Sequence, residues 1–129
     1  MSTFHRFEDI EAWKKSMGLI SMIYQITNDS SFSKDFGLTN QIRRSGISIA
    51  SNIAEGFERD GNKEFINFLY IAKGSCGELR CQLQIAFNLG YLETNRFEEL
   101  HNLATEISRS LGKLINYLQN SDFKGKKYK

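Results

Sequence analysis

Proline is absent from the 129 residues, which removes the one side chain that breaks a helix outright. Cysteine is nearly absent, with only Cys76 and Cys81. They stand five apart in a segment of helical periodicity, so at ~100° per residue they point roughly 140° apart and cannot bridge within one helix. Their spacing fits no metal or redox motif, and both read as small buried thiols in a reducing compartment. No apolar run approaches the ~20 residues that a bilayer-spanning helix requires, so no membrane partner is expected. The opening Met1-Ser2-Thr3-Phe4-His5-Arg6-Phe7-Glu8 has neither a basic stretch followed by an apolar one nor a small-residue cleavage site. A cytoplasmic location is the expectation.

What is present is a globular balance: 40% hydrophobic and 25% charged residues, in a length that suits one buried core and is too short for two. The net charge of +2 is uneven. From Ser121 onward four lysines stand against one aspartate, so this segment carries +3 and the body −1. A nearly neutral body argues against a surface built throughout for phosphate, while leaving room for a local basic patch. The expected organisation is a bundle domain over 1–120 and a basic, disordered tail over 121–129.

Steps of three and four residues recur along four segments, which makes helix the default over strand. Ile10, Trp13, Met17, Ile20, Tyr24 and Thr27 line one face of the first. The run from Asn28 to Gly37 breaks the pattern with turn-forming side chains and reads as a loop. The second helix is predicted over Leu38–Glu55, with Ile42, Gly46, Ile49 and Ile53 on one stripe and Gly56 as its terminating glycine. Asn62 is a candidate N-cap for the third and longest helix, on which Phe65, Leu69, Ala72, Cys76, Leu79, Leu83, Ala86 and Gly90 stay in register. Asn95 followed by Glu98 resembles a capping box ahead of Phe97, Leu100, Ala104, Ile107, Leu111, Leu114 and Leu118. Short links force antiparallel neighbours, and the fold expected is all-α, an antiparallel up-down four-helix bundle. The third and fourth helices should outreach the first two.

Two features exceed what a plain bundle needs. The third helix carries Ile66, Tyr70, Ile71, Ile85, Phe87 and Tyr91 outside its main stripe, more apolar surface than one core-facing side supplies, and burial against another subunit is the simplest use for it. The second helix carries a polar stripe of Gln41, Ser45, Ser48, Asn52 and Glu55 at the same heptad steps as its apolar one. Such a seam must be satisfied internally, and Ser75 and Glu78 on the third helix are candidate partners in a structural polar network with Gln41, Asn52 and Glu55.

Chemistry-bearing motifs are scarce. Glu55 and Glu78 on facing helices would suit a di-metal centre only alongside Glu-x-x-His motifs, and the chain has a single such spacing, Glu98 to His101, with no twin. No Ser–His–Asp constellation, Walker loop or dinucleotide fingerprint is present. No catalytic residue, cofactor, metal or small-molecule substrate is therefore expected. The candidate phosphate-neutralising groups are Arg43 and Arg44, Arg59 with Lys63, and the tail lysines Lys124, Lys126 and Lys127, with Phe123 and Tyr128 interleaved as rings on which bases could stack.

Three segments carry a family resemblance: Gln41-Ile42-Arg43-Arg44-Ser45, Ser48-Ile49-Ala50-Ser51-Asn52-Ile53-Ala54-Glu55-Gly56-Phe57 and Ala72-Lys73-Gly74-Ser75-Cys76-Gly77-Glu78-Leu79. With Phe7-Glu8-Asp9-Ile10-Glu11-Ala12-Trp13, they resemble the four-helix-bundle proteins encoded in intervening sequences of bacterial 23S ribosomal RNA genes, also labelled S23 ribosomal protein. The resemblance implies a homopentamer forming a barrel. It also implies a distant relationship to the accessory variability determinant proteins of diversity-generating retroelements, which bind nucleic acid, and it implies no enzyme. A self-associating scaffold with RNA as a candidate partner is the expected function; a purely structural or protein-interaction oligomer is the alternative.

Overall fold

The computed structural model describes residues 4–29 and 31–121. Four helices carry the chain: α1 (Glu11–Thr27), α2 (Phe36–Glu58), α3 (Asn62–Asn88) and α4 (Thr94–Gln119), with short 3-10 turns at Phe7–Asp9 and Phe32–Lys34. Among the described residues there is no strand. α1 packs on α2, α2 on α3, α3 on α4, and α1 on α4 closes the bundle. α3, at 27 residues, is the longest, and α3 and α4 outreach the 17 and 23 residues of α1 and α2.

The core stripes of the last three helices follow the periodicity. Ile42, Ile49 and Ile53 of α2, Phe65, Leu69, Leu79 and Leu83 of α3, and Leu100, Ile107 and Leu111 of α4 are fully enclosed. α1 departs from the expectation. Its buried face is Ala12, Ser16, Leu19, Ile23, Ile26 and Thr27; of the expected stripe only Ile10 and Thr27 are buried, whereas Met17 and Tyr24 are exposed and Trp13 and Ile20 only half-buried. Both stripes satisfy a period of 3.6 and differ only in phase, by about one residue or 100°. The small Ala12 and Ser16 allow α1 to lie close at its start, and Trp13 is left at the rim, edge-on to Phe7 at 5.3 Å.

Helix ends differ from the sequence expectation in three places. Gly56 does not terminate α2 but lies inside it, buried, where a Cβ would come within 2.6 Å of Phe68 Cβ and 3.1 Å of Phe65 Cδ1. The glycine is there for close approach of α2 to α3. Asn62 is the first residue of α3 and not its cap; Gly61 takes the cap position with φ of 83°. The Asn95–Glu98 box does not form, because α4 starts two residues earlier than an Asn95 cap requires, at Thr94, with Glu93 as its cap. Gly90, in contrast, ends α3: at φ 82° its N–H donates to Phe87 O and the Tyr91 N–H to Ala86 O, a Schellman motif that non-glycine residues reach only with strain.

The α1–α2 link is more structured than a plain loop. Phe32 is fully buried and stacks on Tyr91 at 5.1 Å, Asp35 caps α2 through the Leu38 N–H, and the Tyr91 hydroxyl donates to Asp35 Oδ2 at 3.1 Å. Tyr91, expected among the surplus apolar side chains of α3, therefore fastens one end of the bundle. Both cysteines are free; Cys76 is buried, but Cys81, expected to be buried too, is exposed because five residues turn it away from the core face, and burial pushes the Cys76 thiol up to about 11. A thiol reagent should thus label one cysteine per folded chain at neutral pH and both in denaturant, because the thiolate is the reacting form. Mass spectrometry placing the native label on Cys76 would contradict this packing.

Candidate functional site

The polar stripe of α2 meets α3 along one seam. The Ser45 hydroxyl donates to Gln82 Oε1 at 2.8 Å, and Gln82 Nε2 donates in turn to Gln41 Oε1 at 3.3 Å. One turn on, the hydroxyls of Ser48 and Ser75 share a hydrogen bond of 2.9 Å, and Asn52 Nδ2 donates to the Ser48 carbonyl and hydroxyl at 2.8 and 2.9 Å. Ser45, Ser75 and Gln82 are buried, so the ladder satisfies side chains that have lost water. Gln41, Asn52 and Ser75 of the sequence-derived set are thereby brought together. Glu55 is not among them: it is exposed and accepts from Arg59 at 2.9 Å. Glu78 is exposed beside the seam and makes no hydrogen bond to it; it lines an open cleft of about 430 Å³ with Gln41, Arg44, Ser45 and Ser48.

Gln82 is the member that sequence reasoning missed. It lies one heptad after Ser75, on the face that α3 turns to α2, and that spacing was the available signal. The heptad continuing the stripe selects Gln82 and not Glu78.

The arginine and lysine candidates do not converge. Arg43 is turned to α1, with Nε donating to Thr27 Oγ1 at 2.9 Å, Nη2 to Asn28 Oδ1 at 3.0 Å, and its guanidinium 4.4 Å from the Tyr24 ring centroid. Arg44 faces the α2–α3 cleft and is exposed. Arg59, the C-cap of α2, lies roughly 22 Å from Arg44 at 1.5 Å per residue. It pairs with both Glu55 and Glu64, its charge held by those carboxylates, which raise its pKa. Lys63 is exposed in the first turn of α3. Lys124, Lys126 and Lys127, and with them the expected tail, lie outside the described residues.

The titratable groups considered for metal are also dispersed. Glu98 is exposed, and His101 is half-buried with its ring 5.4 Å from that of Phe97. Among the described residues no three His, Cys, Asp or Glu side chains form a metal-binding group, and no helix is long and apolar enough to cross a membrane.

Fold and seam together define an antiparallel four-helix bundle with an uncharged hydroxyl–amide ladder between α2 and α3. Residues 8–113 match the model of the 23S rRNA-intervening sequence protein family, and the chain belongs to that family. It is similar to a crystal structure of a protein of unknown function from the S23 ribosomal protein family of Bacteroides thetaiotaomicron: 28% identity, TM-score 0.75, spanning 81% of this chain and 95% of that one. No curated protein matches it.

Proposed function

We propose that this chain is a cytoplasmic, non-catalytic scaffold that assembles as a homopentamer and associates with RNA, its bundle occupying 1–120 and 121–129 serving as a basic tail. The observation that carries the assembly is apolar surface on two separate sides. Met17, Tyr24 and Ile47 are exposed along the α1–α2 edge, and Ile71 and Ile85 on α3. A ring needs two different mating surfaces per subunit, because each contact joins one face of a copy to another face of the next. The number five rests on the family resemblance alone.

The RNA association rests on the family's link to 23S rRNA genes and on cations that carry no ion pair, Arg44 and Lys63 among them. The near-neutral body charge favours the second reading, an oligomer without nucleic acid. Light scattering at micromolar concentration is expected to give five times the 14.9 kDa chain mass. A monomer mass would refute the scaffold. For the RNA half, binding to structured RNA should weaken steeply with salt as released counterions are replaced, and no binding at low salt would remove it.

A further inference from the structure

The sequence-derived cations are scattered or neutralised, but another set converges. α3 and α4 run antiparallel in a register marked by Phe87 stacked on Phe97 at 4.7 Å, Lys73 Cε 3.6 Å from the Cβ position of Gly112, and Gln119 Nε2 donating to the Tyr70 hydroxyl at 3.2 Å. That register brings Arg80 level with Thr105 and puts Arg109 across from the stretch between Lys73 and Arg80. Lys73 and Arg80 both act electrostatically on the Cys76 thiol, which places the two charges on the same part of α3. Gly77 and Gly112 make room there for the two cationic side chains: Arg80 Nη2 lies 3.9 Å from the Cβ position of Gly77, as Lys73 Cε lies against Gly112.

These three cations have no carboxylate. Among the described residues none of Lys73, Arg80 and Arg109 forms an ion pair, and Arg80 Nε is buried without a hydrogen-bond partner. The two acids on the same stretch of helix point elsewhere: Glu78 into the α2–α3 cleft, and Glu106 to α1, where it bonds Lys15 Nζ at 2.6 Å. A buried guanidinium nitrogen left unpaired is costly unless something arrives to accept from it. Tyr70, half exposed and tethered by Gln119, offers a ring face at one end of the groove.

We infer that the α3–α4 groove holding Lys73, Arg80 and Arg109 is a binding site for the phosphate backbone of single-stranded RNA, with Tyr70 as a stacking platform for one base. Lys73 and Arg80 are seven residues apart, about 10.5 Å along the axis, with Arg109 between them on the other wall, so the three charges track a strand instead of clasping one isolated anion. The inference rests on the RNA association proposed above and supplies its site. It moves that site away from the Arg43–Arg44 pair.

The test is fluorescence anisotropy of a labelled 12-nucleotide single-stranded RNA over a salt series, with the wild-type chain, Lys73→Gln/Arg109→Gln and Arg59→Gln. Both positions of the double variant are exposed, and an unchanged melting curve checks that it folds. The slope of log affinity against log salt should become shallower by about 1.4 in the double variant, at ~0.7 per phosphate contact on a single strand, with weaker binding throughout. Arg59→Gln should leave it unchanged, since Glu55 and Glu64 already occupy that charge. Wild-type binding with an unaltered slope in Lys73→Gln/Arg109→Gln would overturn the groove while sparing the RNA association. No wild-type binding of the single strand at low salt would also overturn the groove, and the structured-RNA titration then decides the association itself. Binding of polyglutamate in place of RNA, lost in the double variant, would assign the groove to an acidic protein and reject the inference.

Discussion

Gly56→Val should destabilise the bundle by roughly 2–3 kcal/mol, against the direction that helix propensity gives. Glycine costs a helix interior about 1 kcal/mol relative to alanine, so a substitution at an open site strengthens the helix. Gly56 is not open. An added Cβ would stand 2.6 Å from Phe68 Cβ and 3.1 Å from Phe65 Cδ1, and a Cβ fixed to its backbone cannot swing aside as the end of a flexible chain can. Relief requires α2 and α3 to separate, and overpacking of this kind typically costs about 1–3 kcal/mol, with valine's two methyls at the upper end. Gly18 is the control: nothing lies within 4 Å of its Cβ position, so Gly18→Ala should stabilise by about 0.5–1 kcal/mol. Urea midpoints measured side by side decide it, and a Gly56→Val chain as stable as wild type would show that the close approach does not exist.

Gln82→Ala should cost a similar amount, about 2–3 kcal/mol, by a different route. Its amide joins Ser45 to Gln41, and with Ser45 only 4% exposed the hydroxyl would lose its acceptor with no water to replace it. Removing both partners is another matter. Ser45→Ala/Gln82→Leu leaves no orphaned group at that bond and should recover most of the loss, so a double-mutant cycle should return a coupling well above measurement error. Additive single effects would indicate that the two side chains do not bond. Glu55→Ala, on the same stripe by spacing, should leave the melting temperature almost unmoved, because an exposed ion pair with Arg59 contributes little.

That contrast within one stripe marks how far the pattern of residues reaches. Spacing puts Gln41, Ser45, Ser48, Asn52 and Glu55 on one side of α2, and all five are there or at its edge. Spacing does not say where the opposing helix ends its cover. α3 shields Ser45, whereas Glu55 stands exposed on the outer edge of the stripe beside Arg59. The surroundings of each cation are set in the same way. Whether Arg59 is free depends on Glu64 across the α2–α3 turn, and whether Arg80 is paired depends on where Glu106 points from another helix.

From the chain alone came the four helices, their antiparallel order, and the buried stripes of α2, α3 and α4, because periodicity is a local property written in consecutive residues. The apolar surplus of α3 was legible too, since a count of apolar positions against one core-facing side needs no coordinates. The tertiary structure alone chose between the two α1 stripes, one residue out of phase and equally periodic, by which could lie against α2 and α4. It alone turned Gly56 from a helix terminator into a contact point, and Gln82 from one polar residue among many into the centre of the seam. Each of these depends on which atoms of a second helix lie within a few ångströms, a relation set by packing between segments far apart in the chain.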